Sequence, residues 1–227
     1  IDSLEIKDII DVKLLQTFQD NFARSMDIAS VTVDRNGNPV TKPSFYTSFC
    51  RDFIHSNPIG DKRCAEFHRR CGEISAKTGK PYIYICHAGL VDFAAPILIN
   101  GEHIGTILGG QVLTQKYDKI TLTKAVEDLH IDKSEFMSAV KKIHVISLQR
   151  VRVIAELLYM FTNEFSKKSY EALELKNNSQ SLKNEVFKIN LLLEKSKTDN
   201  EFMIKQFSVL SHELRTPLNI IYSTVQY

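Results

Sequence analysis

No run of eighteen apolar residues occurs in this chain. The most hydrophobic stretch, Tyr82 to Ile99, is broken by His87, Asp92 and Pro96, so it reads as strands and not as a membrane span. Charge of one sign is missing too. The 29 Lys and Arg against 27 Asp and Glu leave a formal net charge of +2, with the lysines scattered among acids, which excludes a nucleic-acid-binding stripe. Nothing in the sequence reads as a recognition helix. Neither GxGxxG nor a GxxxxGK run occurs, so the chain has no phosphate-cradling loop and no ATP site. No secretory signal opens it, which with the lack of a span places it in the cytoplasm; a membrane anchor would have to precede Ile1. What remains, 43% hydrophobic and 25% charged residues over 227 positions, fits one globular domain with a helical extension.

Hydrophobic periodicity divides the first half into short elements. Ile6, Ile9, Ile10, Leu14, Phe18 and Phe22 recur at near-helical spacing and predict one amphipathic helix over Ile6 to Met26. Ala29 to Val33 alternates as a strand and runs into the turn signal Asp34-Arg35-Asn36-Gly37-Asn38-Pro39, with a second strand or bend at Val40. Helices are predicted over Ser44 to His55 and Ile59 to Thr78, separated by Asn57-Pro58 and closed by Gly79-Lys80-Pro81. Strand composition returns in Tyr82 to Cys86, Asp92 to Ile99 and Glu102 to Val112, and Asn100-Gly101 predicts a two-residue hairpin turn. Gly105, Gly109 and Gly110 inside the last strand predict a bulge, or a close approach of another backbone or a ligand. The whole predicts an α+β, PAS-like sensor domain with an antiparallel sheet and flanking helices, followed by a long dimeric coiled-coil helix, although periodicity alone does not separate PAS-like from GAF-like.

Five strings in this half occur in a fixed order: Phe49-Cys50, Arg63-Cys64, Cys86-His87-Ala88-Gly89-Leu90, Phe93-Ala94-Ala95-Pro96-Ile97 and Gly109-Gly110-Gln111-Val112. Together, from Leu14 to Leu148, they resemble the PocR sensory-domain family. The resemblance implies a domain that senses a small organic compound, short diols included, and that is joined to a transcription regulator or a histidine kinase. The candidate ligand pocket comprises Tyr84, Asp92, Phe93 and Gln111, with Phe45, Phe49 and Tyr82 as further aromatic lining. Ordinary core packing is the alternative for each of these aromatics.

All four cysteines, Cys50, Cys64, Cys71 and Cys86, lie in this half, with His68 and His87 close to two of them. Cys64, His68 and Cys71, at i, i+4 and i+7, share one face of the predicted Ile59 to Thr78 helix. Four thiolates, or three with His68 or His87 as the alternate ligand, have the donor chemistry for zinc or an iron–sulfur cluster in a reducing compartment. The intervals of 13, 6 and 14 residues, with no CxxC knuckle, match no standard zinc ribbon or ferredoxin loop. Buried thiols serving as small hydrophobes and redox-sensing thiols stand as the alternatives. His55, His103, His130 and His144 read as solvent-facing polar residues.

The second half carries one long heptad. From Val151, Ile154, Leu158, Phe161 and Phe165 to Met203, Phe207, Leu210 and Leu214, seam positions alternate three and four residues apart without a skip, as the a/d seam of a coiled coil requires. Lys168, Ser179, Ser196 and Asn200 are polar seam positions, which either favour a choice between two arrangements or are local imperfections. In this phase His212 falls at f, the outermost position. The string Ser211-His212-Glu213-Leu214-Arg215-Thr216-Pro217-Leu218-Asn219-Ile220 resembles the phosphoacceptor box of sensor histidine kinases. That resemblance implies His212 as phosphoacceptor, Glu213 handling its proton, and Thr216 orienting water during dephosphorylation. Pro217 removes one backbone hydrogen bond and is expected to bend the helix just past the histidine.

The same resemblance implies a parallel homodimer and a response regulator as partners. ATP enters only through a catalytic domain outside this sequence, so the chain alone is expected to be inactive as a kinase. A start at Ile1 and an end at Tyr227 suggest a piece of a longer protein. The expected organisation is a sensory domain over 1–145, a signalling helix or coiled coil over 146–200, and the start of a phosphoacceptor domain over 201–227. Two other functions suit the same residues: a metal- or iron–sulfur-based redox sensor on the same output helix, and a dimerisation module without a ligand.

Overall fold

The computed structural model describes residues 5–114 and 133–225, so His130 lies outside the described residues. The chain opens with two helices, α1 (Ile6–Ile9) and α2 (Val12–Met26), where the periodicity predicts one. Ile10 is extended, and Asp11 Oδ1 accepts from Lys13 N at 2.8 Å and Leu14 N at 3.3 Å. A fresh N-cap thus interrupts the helix without disturbing its apolar repeat. Strand β1 (Ala29–Asp34) follows. The helix expected over Ser44 to His55 is largely absent: Ser44 exchanges backbone hydrogen bonds with Ser30 (2.8 and 3.0 Å) and Phe45 has a φ of 55°. Regular winding there is confined to a short stretch built around the π-helical turn Cys50–Ile54. Helix α3 (Pro58–Thr78) starts on an Asn57 cap with proline in its first turn and stops at Gly79 in the left-handed region.

Strands β2 (Tyr82–Ile85), β3 (Val91–Ile99) and β4 (Glu102–Val112) complete a four-stranded antiparallel sheet of order β1-β4-β3-β2. Asn100 and Gly101, both at positive φ, close the β3–β4 hairpin as expected, with Ile99 opposite Glu102. The second strand expected at Val40 is reduced to a bridge between Val33 and Pro39. Opposite Asp92 the ladder slips. Val91 pairs with Val112 but Phe93 pairs with Gly109, so Gly110 and Gln111 together face one residue, which is the bulge the glycines predict.

Each face of the sheet is covered. On one, Ile6, Ile10 and Leu15 of the first two helices meet Phe93, Ile97 and Ile107, together with Val151, Ile154 and Leu158 from the start of the last helix, α5 (Leu148–Val225). Burying each such side chain contributes about 1.5–3 kcal/mol, so these three positions complete the domain core. The N-terminal unit accordingly runs to Leu173, past the expected boundary at 145. Asn163 fastens α5 to the sheet: its Nδ2 donates to Pro96 O at 2.8 Å and its Oδ1 accepts from Leu98 N at 3.0 Å. On the other face lie α3, the π-helical turn and α4 (Lys133–Val140), with Phe49, Ile54, Leu90 and Phe136 buried together.

The second unit is Glu174–Tyr227, and its described residues form a helix in which every seam position from Leu175 to Leu214 is exposed. It continues through Pro217 to Val225. Among the described residues no helix is long and apolar enough to cross a membrane. The architecture is α+β and PAS-like, followed by a long helix, in agreement with the sequence.

Candidate ligand-binding site

The bulge builds the site. In-register pairing sets Tyr84 opposite Asp92, and Gln111, at φ 57°, donates its backbone N–H to Asp92 Oδ1 at 2.6 Å. Gly110 permits this approach: a Cβ there would lie 2.6 Å from Asp92 Oδ1 and 2.6 Å from the Val91 carbonyl oxygen. The Gln111 side chain in turn accepts from the backbone N–H and hydroxyl of Thr47, at 2.9 and 3.0 Å. Upstream, buried Gln19 fixes the segment that leads into the site. Its Oε1 accepts from the Thr32 and Thr41 hydroxyls (2.9 and 2.6 Å), and its Nε2 donates to Lys42 O and Ser44 Oγ (2.9 and 2.6 Å). Phe45 and Tyr46 are thereby presented towards α3, which contributes His68.

Tyr46, His68, Tyr84, Asp92 and Gln111 line a cavity of about 20 Å³, room for a single water-sized group. It shares Val31, Tyr46 and His68 with a larger cavity of about 590 Å³, whose wall includes Pro39, Pro43, Phe45 and Ala65. That size is typical of small-molecule sites. Among the described residues no protein group hydrogen-bonds the Tyr46 or Tyr84 hydroxyl or the His68 ring, so three polar tips face the cavity unengaged.

Burial pushes the Asp92 carboxyl up to about 6, with the Gln111 N–H and the Cys86 thiol offsetting part of the effect. Burial, reinforced by the charge of Asp92, also raises Cys64 to about 12 and Cys71 to about 11, and lifts Cys50, Cys86 and Tyr84 well above their ordinary values. Tyr46 is raised by burial, then by Cys50 and Asp92. Burial lowers both His68 and His87 to about 4. At neutral pH the inner cavity is therefore lined by protonated phenols, the neutral His68 imidazole and the Asp92 carboxylate, with protonated thiols around it.

Of the expected pocket residues, Tyr84, Asp92 and Gln111 come together and Phe45 lines the larger cavity. Phe93 does not join them. Neighbouring residues on a strand point to opposite faces, and Phe93 belongs to the core under α1, α2 and α5. Phe49 is buried against Phe136 with ring centroids 4.8 Å apart, and Tyr82 stacks on Tyr84 at 5.8 Å. Tyr46 and Thr47 carry no sequence signal, because they fall in a segment whose composition reads as helix.

The cysteines do not assemble as a metal centre. Cys64, His68 and Cys71 do share the inner face of α3, but Cys50 and Cys64 pack in one apolar cluster and Cys71 packs with Val31 and Tyr84 in another, with Cys86 against both. Cys64 Sγ lies 3.3 Å from His87 Nε2. With the thiol raised and the imidazole lowered, this is a contact between a neutral thiol and a neutral imidazole and not a thiolate–imidazolium pair. Among the described residues no group of three or more His, Cys, Asp or Glu is gathered to hold a metal ion. Metal ligation needs thiolates, and burial in apolar surroundings opposes them. In the second unit His212, Glu213 and Thr216 are exposed, and Thr216 Oγ1 donates to His212 O at 3.4 Å.

An antiparallel PAS-like sheet whose bulge, facing helix and preceding loop enclose a small polar cavity defines a sensory domain. The chain belongs to the PocR sensory-domain family: the model described as "Sensory domain found in PocR" matches residues 8–170. "Regulatory protein PocR" of Salmonella typhimurium (strain LT2) is 28% identical over 172 residues, which cover 75% of this chain and 56% of that protein. The chain thus spans little more than half the length of that relative. Of the five strings that carry the family resemblance, Cys86 to Leu90 turns β2 into β3 and packs with Phe49-Cys50 at the π-helical turn and Cys64 on α3, Gly109 to Val112 holds the bulge, and Phe93 to Ile97 runs along β3.

Proposed function

We propose that the chain is the input and phosphoacceptor portion of a cytoplasmic two-component sensor histidine kinase, in which a small organic compound bound beside Asp92 sets the arrangement of the helix bearing His212. The observation that carries the sensing half is the convergence of Tyr46, His68, Tyr84 and Asp92 on one cavity. β3 joins this site to the output side, because Pro96 and Leu98, four and six residues beyond Asp92, are the residues gripped by Asn163 of α5.

The output half rests on the string Ser211 to Ile220 and on an exposed histidine at an f position. His212 receives the phosphoryl group, Glu213 handles its proton and Thr216 orients water for dephosphorylation, with a response regulator as the next acceptor. ATP is supplied through a catalytic domain. The exposed seam of Leu175, Leu182, Val186, Ile189 and Leu193 favours a parallel homodimer, since each apolar seam residue covered by a partner contributes about 1.5–3 kcal/mol. The first free seam position lies beyond Leu158, because earlier ones serve the domain core.

Supplied in trans with a histidine-kinase catalytic domain and ATP, the chain is expected to label on a single acid-labile site that His212→Gln abolishes. Undiminished labelling in that variant refutes the assignment.

A further inference from the structure

Within the reading of this cavity as the sensory site, we infer that its ligand is a primary ammonium ion on a short apolar tail, the ammonium seated against Asp92 and the tail lying in the larger cavity. Charge argues first. Asp92 stands at the inner end, and no Lys or Arg lines that cavity. Its close donors, the Gln111 N–H at 2.6 Å and the Cys86 thiol, are both neutral. At the outer rim the Arg51 guanidinium is paired elsewhere, its Nε 2.6 Å from Asp52 Oδ1, and the His55 ring is held with Nδ1 2.7 Å from Asp61 Oδ1. Lys142 lines a separate cavity on the far side of Tyr46 and Gln111. A buried carboxylate without a counter-ion is strongly disfavoured until a cation reaches it, and it repels an anionic ligand.

Size argues second. The inner cavity of about 20 Å³ takes one water-sized group. An –NH₃⁺ group is that size; a trimethylammonium head is not. Its three donors meet the Asp92 carboxylate, the Tyr84 or Tyr46 hydroxyl oxygen and the neutral His68 ring, and both tyrosines also offer a ring face to a cation. A neutral alcohol of equal size would fill the space but leave the charge of Asp92 uncompensated. Val31, Pro39, Pro43 and Phe45 give the outer cavity the apolar wall that a short alkyl tail needs.

The pH response follows from what faces Asp92 on every side. Tyr46 precedes the π-helical turn, Cys50 lies within it, Cys64, His68 and Cys71 come from α3, and Tyr84 and Cys86 come from β2. Burial keeps the phenols and thiols protonated at neutral pH and the His68 and His87 imidazoles, lowered to about 4, neutral. Of these groups facing it, Asp92, near 6, is the one that titrates between pH 5 and 8. An alkylammonium stays charged throughout, so affinity rises with pH through that value and levels off above it, falling roughly tenfold per unit below it.

Calorimetric titration of the 227-residue chain with propylamine, propanol, propionate and tetramethylammonium at pH 5 and 7.5 tests the inference. Propylamine is expected to bind roughly tenfold or more tighter than propanol at pH 7.5, with no binding of propionate or tetramethylammonium. Asp92→Asn, with unchanged circular dichroism, should weaken propylamine by roughly tenfold or more, and Tyr84→Phe by less. Propanol binding as tightly as propylamine, and weakened by Tyr84→Phe, overturns the ammonium and leaves the cavity as the sensory site. Propylamine binding that neither variant changes overturns the cavity reading itself, and binding by none of the four overturns the ammonium assignment.

Discussion

Replacing Asp92 by asparagine should stabilise the folded domain at neutral pH. Burial raises its carboxyl from the ordinary 3.8 to about 6, a shift of about two units that corresponds to about 3 kcal/mol against the ionised form. For an acid raised in the folded state, the associated stability is fully present below the ordinary value and is lost as pH climbs through the folded one. The penalty is therefore complete above about pH 7 and absent near pH 3.5. Asparagine keeps an oxygen that can accept from Gln111 N while removing the charge, so we expect about 1–3 kcal/mol of added stability at pH 7.5. A unit of this size gains about 2–4 °C in Tm per kcal/mol, which makes the shift about 5 °C. Urea denaturation at pH 4, 5.5 and 7.5, with wild type and variant side by side, measures it. Loss of stability in the variant at pH 7.5, or a gain that stays constant from pH 4 to 7.5, would refute the reasoning. The lowered imidazoles act in the opposite sense: His68, His87 and His103 resist protonation in the fold, so stability is lost as pH falls below 6.5, for His68 and His87 towards 4. With Asp92 gone nothing opposes that slope, and Asp92→Asn should be the more acid-sensitive protein.

Gly110→Ala places a Cβ 2.6 Å from Asp92 Oδ1 and from the Asp92 Cα, at a φ of 138°, and should destabilise the domain by about 2–4 kcal/mol. An unchanged urea midpoint would mean that the bulge is not formed as described. Asn163→Ala strips Leu98 N–H and Pro96 C=O of their side-chain partner and should cost about 1–3 kcal/mol, with faster amide exchange at Leu98; exchange equal to wild type counts against the contact. All four thiols are held protonated by burial, so native iodoacetamide labelling at pH 7.5 should be slow and become complete only in denaturant. Rapid labelling of Cys50 or Cys86 in the folded protein would revive the redox-sensing alternative.

Much of the fold can be read from local chemistry. The two-residue period of Ala29 to Val33, the Asn100-Gly101 turn and the glycines of β4 each have one backbone solution, and the structure adopts it. Elements decided by distant partners cannot be read in this way. Ser44 pairs with Ser30 and its hydroxyl engages Gln19, which overrides the helical composition of the residues that follow. Within the site, Asp92 and Gln111 are legible as polar residues set in apolar strands beside a glycine pair. Phe93 misleads because it is adjacent in sequence and opposite in direction. Cys64, His68 and Cys71, at i, i+4 and i+7, identify the inner face of α3 correctly, yet spacing says nothing about whether apolar neighbours will keep the thiols protonated. The heptad has the same ambiguity: periodicity shows that a helix face is covered, and only the structure shows that Val151, Ile154 and Leu158 are covered by the chain's own sheet.

The two irregularities of the β3–β4 ladder have a joint consequence. One slip falls at Asp92 and the other between Ile97 and Leu98, and between them Phe93 to Ile97 pair with Gly109 to Gly105 in unbroken register. A regular antiparallel ladder resists shear because every residue is tied to its partner, whereas a bulge can change its backbone angles locally. Movement at the Asp92 bulge would therefore carry the five-residue segment as a unit and appear at the second slip, where the Asn163 side chain holds both Pro96 O and Leu98 N. The apolar contacts of Phe93 and Ile97 with α5 run along the same segment and would move with it. The polar site and the start of α5 are thus connected by a rigid piece with a compliant joint at each end, an arrangement that can transmit a displacement too small to disturb the core around it.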